Sequence, residues 1–169
     1  MRRFLNITVL ALTAFLIEAV VFPRASFAQL REQIQGVWIL QSAITTRGDG
    51  GTYETFGPNP RGLLMIDRGG RYSLQTVRSD RPRFASGVRS SGTDEENRAA
   101  VIGTNTHFGR YTVNEITRVI NFRVDGSSFP NWDGTLRRRR VTFVDATRLR
   151  WVTIEPPGIL VSTITWRRP

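Results

Sequence analysis

The chain has 169 residues, 40% of them apolar and 10% aromatic, which is room for one compact core, and it contains no cysteine, so disulfides, thiolate metal sites and a lipid-modified cysteine anchor are excluded. All 24 basic residues are arginine against 14 acids, a net charge of +10; such a field attracts anions, although a genome that writes arginine for lysine also explains the missing lysine. No nucleic-acid-binding motif appears, and no nucleic-acid partner is expected.

At the start of the chain, Met1-Arg2-Arg3 leads into an apolar run from Phe4 to Phe22 and a small-residue exit at Ser26-Phe27-Ala28, the pattern of a secretory signal. Cleavage is expected after Ala28, so residues 1–28 are a signal peptide and residues 29–169 one domain, placed in the periplasm or secreted. Glu18 is costly in lipid, and an uncleaved anchor remains the alternative. The arginine pair lacks twin-arginine spacing, which favours ordinary Sec export. The mature part keeps twenty-one arginines against thirteen acids, a net charge near +8.

Leu30 to Gln35 predicts a helical turn closed by Gly36. Strands follow at Val37 to Thr45, Thr52 to Phe56, Gly62 to Asp67, Arg71 to Arg78, Phe108 to Asn114, Thr117 to Asp125, Thr135 to Val144, Arg148 to Ile154 and Ile159 to Arg167, all rich in β-branched and aromatic residues. Turn residues at Gly48 to Gly51, Arg68 to Gly70, Asp145 to Thr147 and Pro156 to Gly158 join them tightly, which forces antiparallel neighbours. One helix is predicted at Asp94 to Ile102, with Thr93 and Glu96 as a capping box and Gly103 closing it. A sheet this long in so short a chain leaves two open edges unless it closes, so the fold class is all-β: a closed or nearly closed antiparallel barrel of about eight strands with one short helix.

Gly36-Val37-Trp38 opens the first long strand and Trp166-Arg167-Arg168 closes the last; between them stand Gly57-Pro58-Asn59-Pro60-Arg61-Gly62, Gly70-Arg71-Tyr72-Ser73, Arg81-Pro82-Arg83-Phe84, Gly109-Arg110-Tyr111-Thr112-Val113 and Phe129-Pro130-Asn131-Trp132-Asp133-Gly134. In this order and spacing the chain resembles the bacterial lipocalin-like domain family, from about Leu30 to Trp166. The resemblance implies a calycin-type barrel with an internal pocket, with Trp38 plugging the floor and Arg167 or Arg168 lying across its ring. It also implies a histidine near Asn121, which this chain does not have.

Strand alternation turns Trp38, Leu40, Tyr72 and Leu74 inward. The run Arg137-Arg138-Arg139-Arg140 sends two arginines to each face, and Arg138 and Arg140 are taken as ligand-facing; an inward guanidinium needs an internal acid, open water or an anionic ligand. Asn131 and Trp132 are candidates for a pocket lid, the alternative being a structured turn that seals the barrel end, and Arg83 is a second anion contact on the long loop before the helix. His107 is the only histidine, so a multi-histidine metal site is impossible; with Tyr111 it is the weak candidate for acid–base work. No nucleophile elbow, P-loop, dinucleotide fingerprint or acidic metal cluster occurs, and neither a cofactor nor a metal is expected.

The leading expectation is a barrel that binds a small hydrophobic molecule, one that bears a carboxylate in some readings. A cofactor-free isomerase or cyclase using the same pocket is the first alternative. A non-catalytic module whose arginine-rich face meets an anionic membrane surface or an acidic partner is the second.

Overall fold

The computed structural model describes residues 29–154 and 161–169. The expected signal segment, Glu155, the expected turn at Pro156 to Gly158 and the expected strand start at Ile159 lie outside them.

In chain order the elements are α1 (Leu30–Gln33), β1 (Gly36–Thr46), β2 (Thr52–Glu54), β3 (Arg61–Ile66), β4 (Arg71–Val77), α2 (Asp94–Ile102), β5 (Thr104–Asn114), β6 (Val119–Ser127), β7 (Leu136–Val144), β8 (Arg148–Ile154) and β9 (Val161–Arg167). Strands β3 to β9 pair with their sequence neighbours, and β1 pairs with both β3 and β9, so eight antiparallel strands close a barrel. The three-residue β2 extends the β3 edge of β1 at one end. Closure pairs every edge of the wall, which removes the open edges that so short a chain otherwise exposes. α2 has the expected capping box, with the Thr93 hydroxyl accepting from the Glu96 N–H and the Glu96 carboxylate from the Thr93 N–H.

One end of the barrel is sealed by its own apolar residues. Trp38 is fully buried there, donates its Nε1–H to the Ile34 carbonyl at 2.7 Å, and carries the Arg168 guanidinium 3.7 Å above its ring. Of the two expected arginines, Arg168 is therefore the one that stacks. Gly36 makes room for it: its φ is +109°, and a Cβ would collide with the Arg168 guanidinium. The Glu115 carboxylate accepts from the Leu30 and Arg31 amides and ties α1 across this floor. Leu40, Leu64, Ile66, Ile120, Leu149, Trp151 and Trp166 fill the space above it.

Candidate functional site

Along each strand every second residue faces inward, and the character of these positions changes from floor to mouth. On β4 the inner face runs Tyr72, Leu74, Thr76 from the floor upward. On β5 it runs Tyr111, Gly109, His107 and then Asn105 at the mouth. Thr45 of β1 bonds the hydroxyls of Thr55 and Ser162 at 2.6 and 2.8 Å. The lower half is thus apolar and the upper half polar.

Where the apolar and polar halves meet stands a buried pair. Tyr72 Oη lies 2.9 Å from His107 Nδ1, and His107 is 1% exposed. If Nδ1 carried the proton, the phenol hydrogen would need a second acceptor; with the phenol donating to Nδ1, one bond satisfies both groups. That arrangement places the imidazole proton on Nε2, which is buried and has no hydrogen-bond partner among the described residues. The ring sits edge-on to Phe122 and Trp132, centroids 6.4 and 6.0 Å away.

Burial, and then the guanidinium groups of Arg139 and Arg137, push the His107 pKa down to about 3. Burial pushes the Tyr72 phenol well above its ordinary range. Both groups are therefore neutral at pH 7, and their chemistry there is hydrogen bonding: a base with a pKa near 3 is poorly matched to proton abstraction at neutral pH.

The arginine run resolves against expectation. Arg137 and Arg139 take the inner face, opposite the fully buried Phe122 and Ile120, whereas Arg138 and Arg140 are exposed on the outer wall. The cause is Val141, whose burial opposite Trp151 fixes the phase of β7, so that residues two and four positions earlier must also point in. Arg139 is 6% exposed and donates to the Arg138 carbonyl at 2.8 Å. Arg137 lies over the Trp132 ring at 4.5 Å.

Trp132 belongs to a 3-10 turn, Pro130–Trp132, between β6 and β7. Half-buried, it touches Phe129 as well as His107 and Arg137. With Phe56, Val101, Ile102, Asn105 and Phe129 it lines a cleft of about 350 Å³ at the barrel mouth. The Asn105 Oδ1 in this cleft is buried and has no hydrogen-bond partner among the described residues.

The other sequence candidates scatter. Trp38, Leu40 and Leu74 are buried core residues, the first of them part of the floor plug. Tyr111 is also at the floor, its hydroxyl donating to the Asp67 carbonyl at 2.7 Å, so it does not meet His107. Tyr72 takes that place instead. Arg83 is exposed on the loop beside Phe84 and Gly87, and Asn131 points into solvent next to Trp132. Asn105 is not among the sequence candidates, and within the arginine run the inward pair is Arg137 and Arg139 instead of Arg138 and Arg140; counting inward in twos from His107 and Val141 is the signal that finds them. No group of three potential metal ligands occurs among the described residues.

A family model described as "Lipocalin-like domain" matches residues 35–168. The chain is 34% identical over 106 residues to a protein of Aspergillus oryzae named 4'-hydroxy-3'-methoxypropiophenone carrier protein, covering 57% of this chain and 95% of that one. Since that relative is fungal, the family is taken without restriction to bacteria. Among solved structures, a redesigned beta barrel aligns with 86% of this chain and 99% of its own at 14% identity and a TM-score of 0.42. A second redesigned barrel, bound to DFHBI, aligns with 83% of this chain and 100% of its own at 17% identity and a TM-score of 0.42.

Proposed function

The chain belongs to the lipocalin-like domain family, and from that membership we propose that it is a carrier which holds a small, largely apolar aromatic molecule in the mouth half of its barrel. One observation carries this reading: the neutral, buried Tyr72–His107 pair lies beneath the aromatic side of an open cleft, so that polar recognition and apolar area meet in one place. The name of the Aspergillus oryzae relative, a carrier of an aryl ketone, supports it.

The test is a titration of the protein with aryl ketones, followed by tryptophan fluorescence and by native mass spectrometry. Saturable quenching that is largely lost in Trp132→Phe, with one ligand per chain, is the expected result; no saturable binding by any probe removes the reading. Binding is favoured over the isomerase or cyclase alternative because His107 is held neutral far below the pH at which a general base works well.

Export is part of the proposal. Its support is the charged start, apolar run and small-residue exit of residues 1–28. N-terminal sequencing of the exported form should start at Gln29. The outer wall supports a further contact with an anionic membrane surface, because the register sets Arg71, Arg110 and Arg123 directly beside one another, with Asp125 bonded to Arg71 at 3.2 Å. Binding to phosphatidylglycerol vesicles that weakens steeply with salt is its test.

A further inference from the structure

Two groups on the inner face of β5 lack partners among the described residues: Asn105 Oδ1, an acceptor, and His107 Nε2, which carries a proton when Tyr72 donates to Nδ1. A buried polar group left unbonded loses its hydration without compensation, so two of them on one strand face are a feature that a ligand would relieve. Their order along the strand matters. Asn105 stands at the cleft and His107 two residues deeper, a separation of about 7 Å along the strand. Phe56, Phe129 and Trp132 flank the same cleft with flat apolar surface, and Val101 and Ile102 of α2 stand over it about two-thirds exposed.

An acceptor at the cleft, a donor one inward position deeper against Trp132, and aromatic walls around the cleft define the complement. We propose that the ligand is a planar ring with a hydrogen-bond donor at one end and an sp2 oxygen at the other, seated with the donor on Asn105 Oδ1 and the oxygen on the Nε2–H of His107. A para-hydroxyaryl carbonyl compound has this polarity, and a ketone and a carboxylate share the required oxygen. Burial and the two inner guanidinium groups keep His107 from protonating in the neutral range, so the same donor is presented across physiological pH. The proposal rests on the carrier reading and adds to it the ligand's functional groups and orientation.

Four probes test it by calorimetry: 4-hydroxyacetophenone and 4-hydroxybenzoate, which carry both groups, 4-ethylphenol, which lacks the oxygen, and acetophenone, which lacks the donor. In the unaltered chain at least one of the first two should bind about five- to tenfold more tightly than either of the last two, and which of them does so separates a ketone from a carboxylate. In His107→Phe the advantage over 4-ethylphenol should vanish while the advantage over acetophenone persists; Asn105→Ala should do the reverse. His107→Gln, which keeps a donor, should retain part of the advantage. The Nε2–H proton resonance should move downfield with the ketone and stay in place with 4-ethylphenol, a readout that needs no variant to fold. Equal affinities across the four probes, or preferences that survive both substitutions, overturn this orientation and leave the carrier reading standing. Failure of every probe to bind overturns both.

Discussion

His107 is placed where burial and two neighbouring cations oppose a positive charge. It is 1% exposed, faces two inner guanidinium groups, and receives its one recorded hydrogen bond from a phenol that burial keeps protonated. Its folded pKa near 3 lies below the ordinary 6.5. As the pH falls through 6.5 the unfolded chain takes up this proton and the folded chain does not. The stability linked to His107 is thus fully present above about pH 6.5 and is lost down to about pH 3, at roughly 1.4 kcal/mol per pH unit in the middle of that window. Urea unfolding of the unaltered chain and of His107→Phe between pH 7 and 4 should show two acid limbs, with the variant's the shallower. Parallel limbs would mean that the imidazole is charged, or exposed, in the folded state. The chain's single histidine, placed in a hydrophobic interior, thereby adds its own acid-sensitive contribution to stability.

At the scale of the strand, what was readable depended on whether one face differed from the other. In β4 the alternation of Tyr72 and Leu74 with Arg71, Ser73 and Gln75 marks the inner face, and in β1 Trp38 and Leu40 turn in as expected although their neighbours Val37 and Ile39 are apolar too. In β7 four consecutive arginines have no phase of their own, and only the buried Val141 beyond them reveals that Arg137 and Arg139 turn in. In β5 the inner Asn105 and His107 are as polar as the outer Thr104 and Thr106, so composition is silent about which face they take. There the backbone helps: β5 and β6 slip register between Phe108 and Gly109, and a Cβ on Gly109 would run into the carbonyl oxygen of Arg123. The slip keeps Phe108 outside over Gly126 and His107 inside opposite Ser127. Gly109→Ala should therefore cost on the order of 2–4 kcal/mol and shift the pairing that aims His107, while a methyl at the open Gly48 turn should cost far less. Chemical denaturation of both variants, with ligand affinity measured on whatever remains folded, separates a local collision from a general intolerance of β-carbons.

For the whole molecule, the division into an apolar floor and a polar mouth assigns stability to one end and recognition to the other. The floor could be read from the sequence because it obeys the ordinary rule that apolar residues go inside; the mouth breaks that rule, which is why the interior of the site was the least legible part. The floor is also where the two ends of the chain meet. Arg168 covers Trp38, donates to the Gln33 carbonyl at 3.2 Å, and through its amide bonds the Thr147 carbonyl at 2.8 Å, so a single residue bridges α1, the first strand and the β7–β8 turn. A guanidinium stacked on a desolvated indole is worth about 1–2 kcal/mol, and β1 and β9 remain paired over seven registered positions without it. Arg168→Ala should then lower the unfolding free energy by about 1–2 kcal/mol and alter the near-ultraviolet signal of the buried tryptophans, with the far-ultraviolet signal of the barrel kept. Ligand affinity should stay within about twofold, because among the described residues neither Trp38 nor Arg168 makes a hydrogen bond or ring contact with His107, Asn105 or Trp132. Were affinity to fall in step with stability, the two ends would be coupled through the shared aromatic column of Phe122, Trp151 and Trp166, whose rings stand 5.8 and 5.5 Å apart in succession, and the floor would belong to the binding site as well.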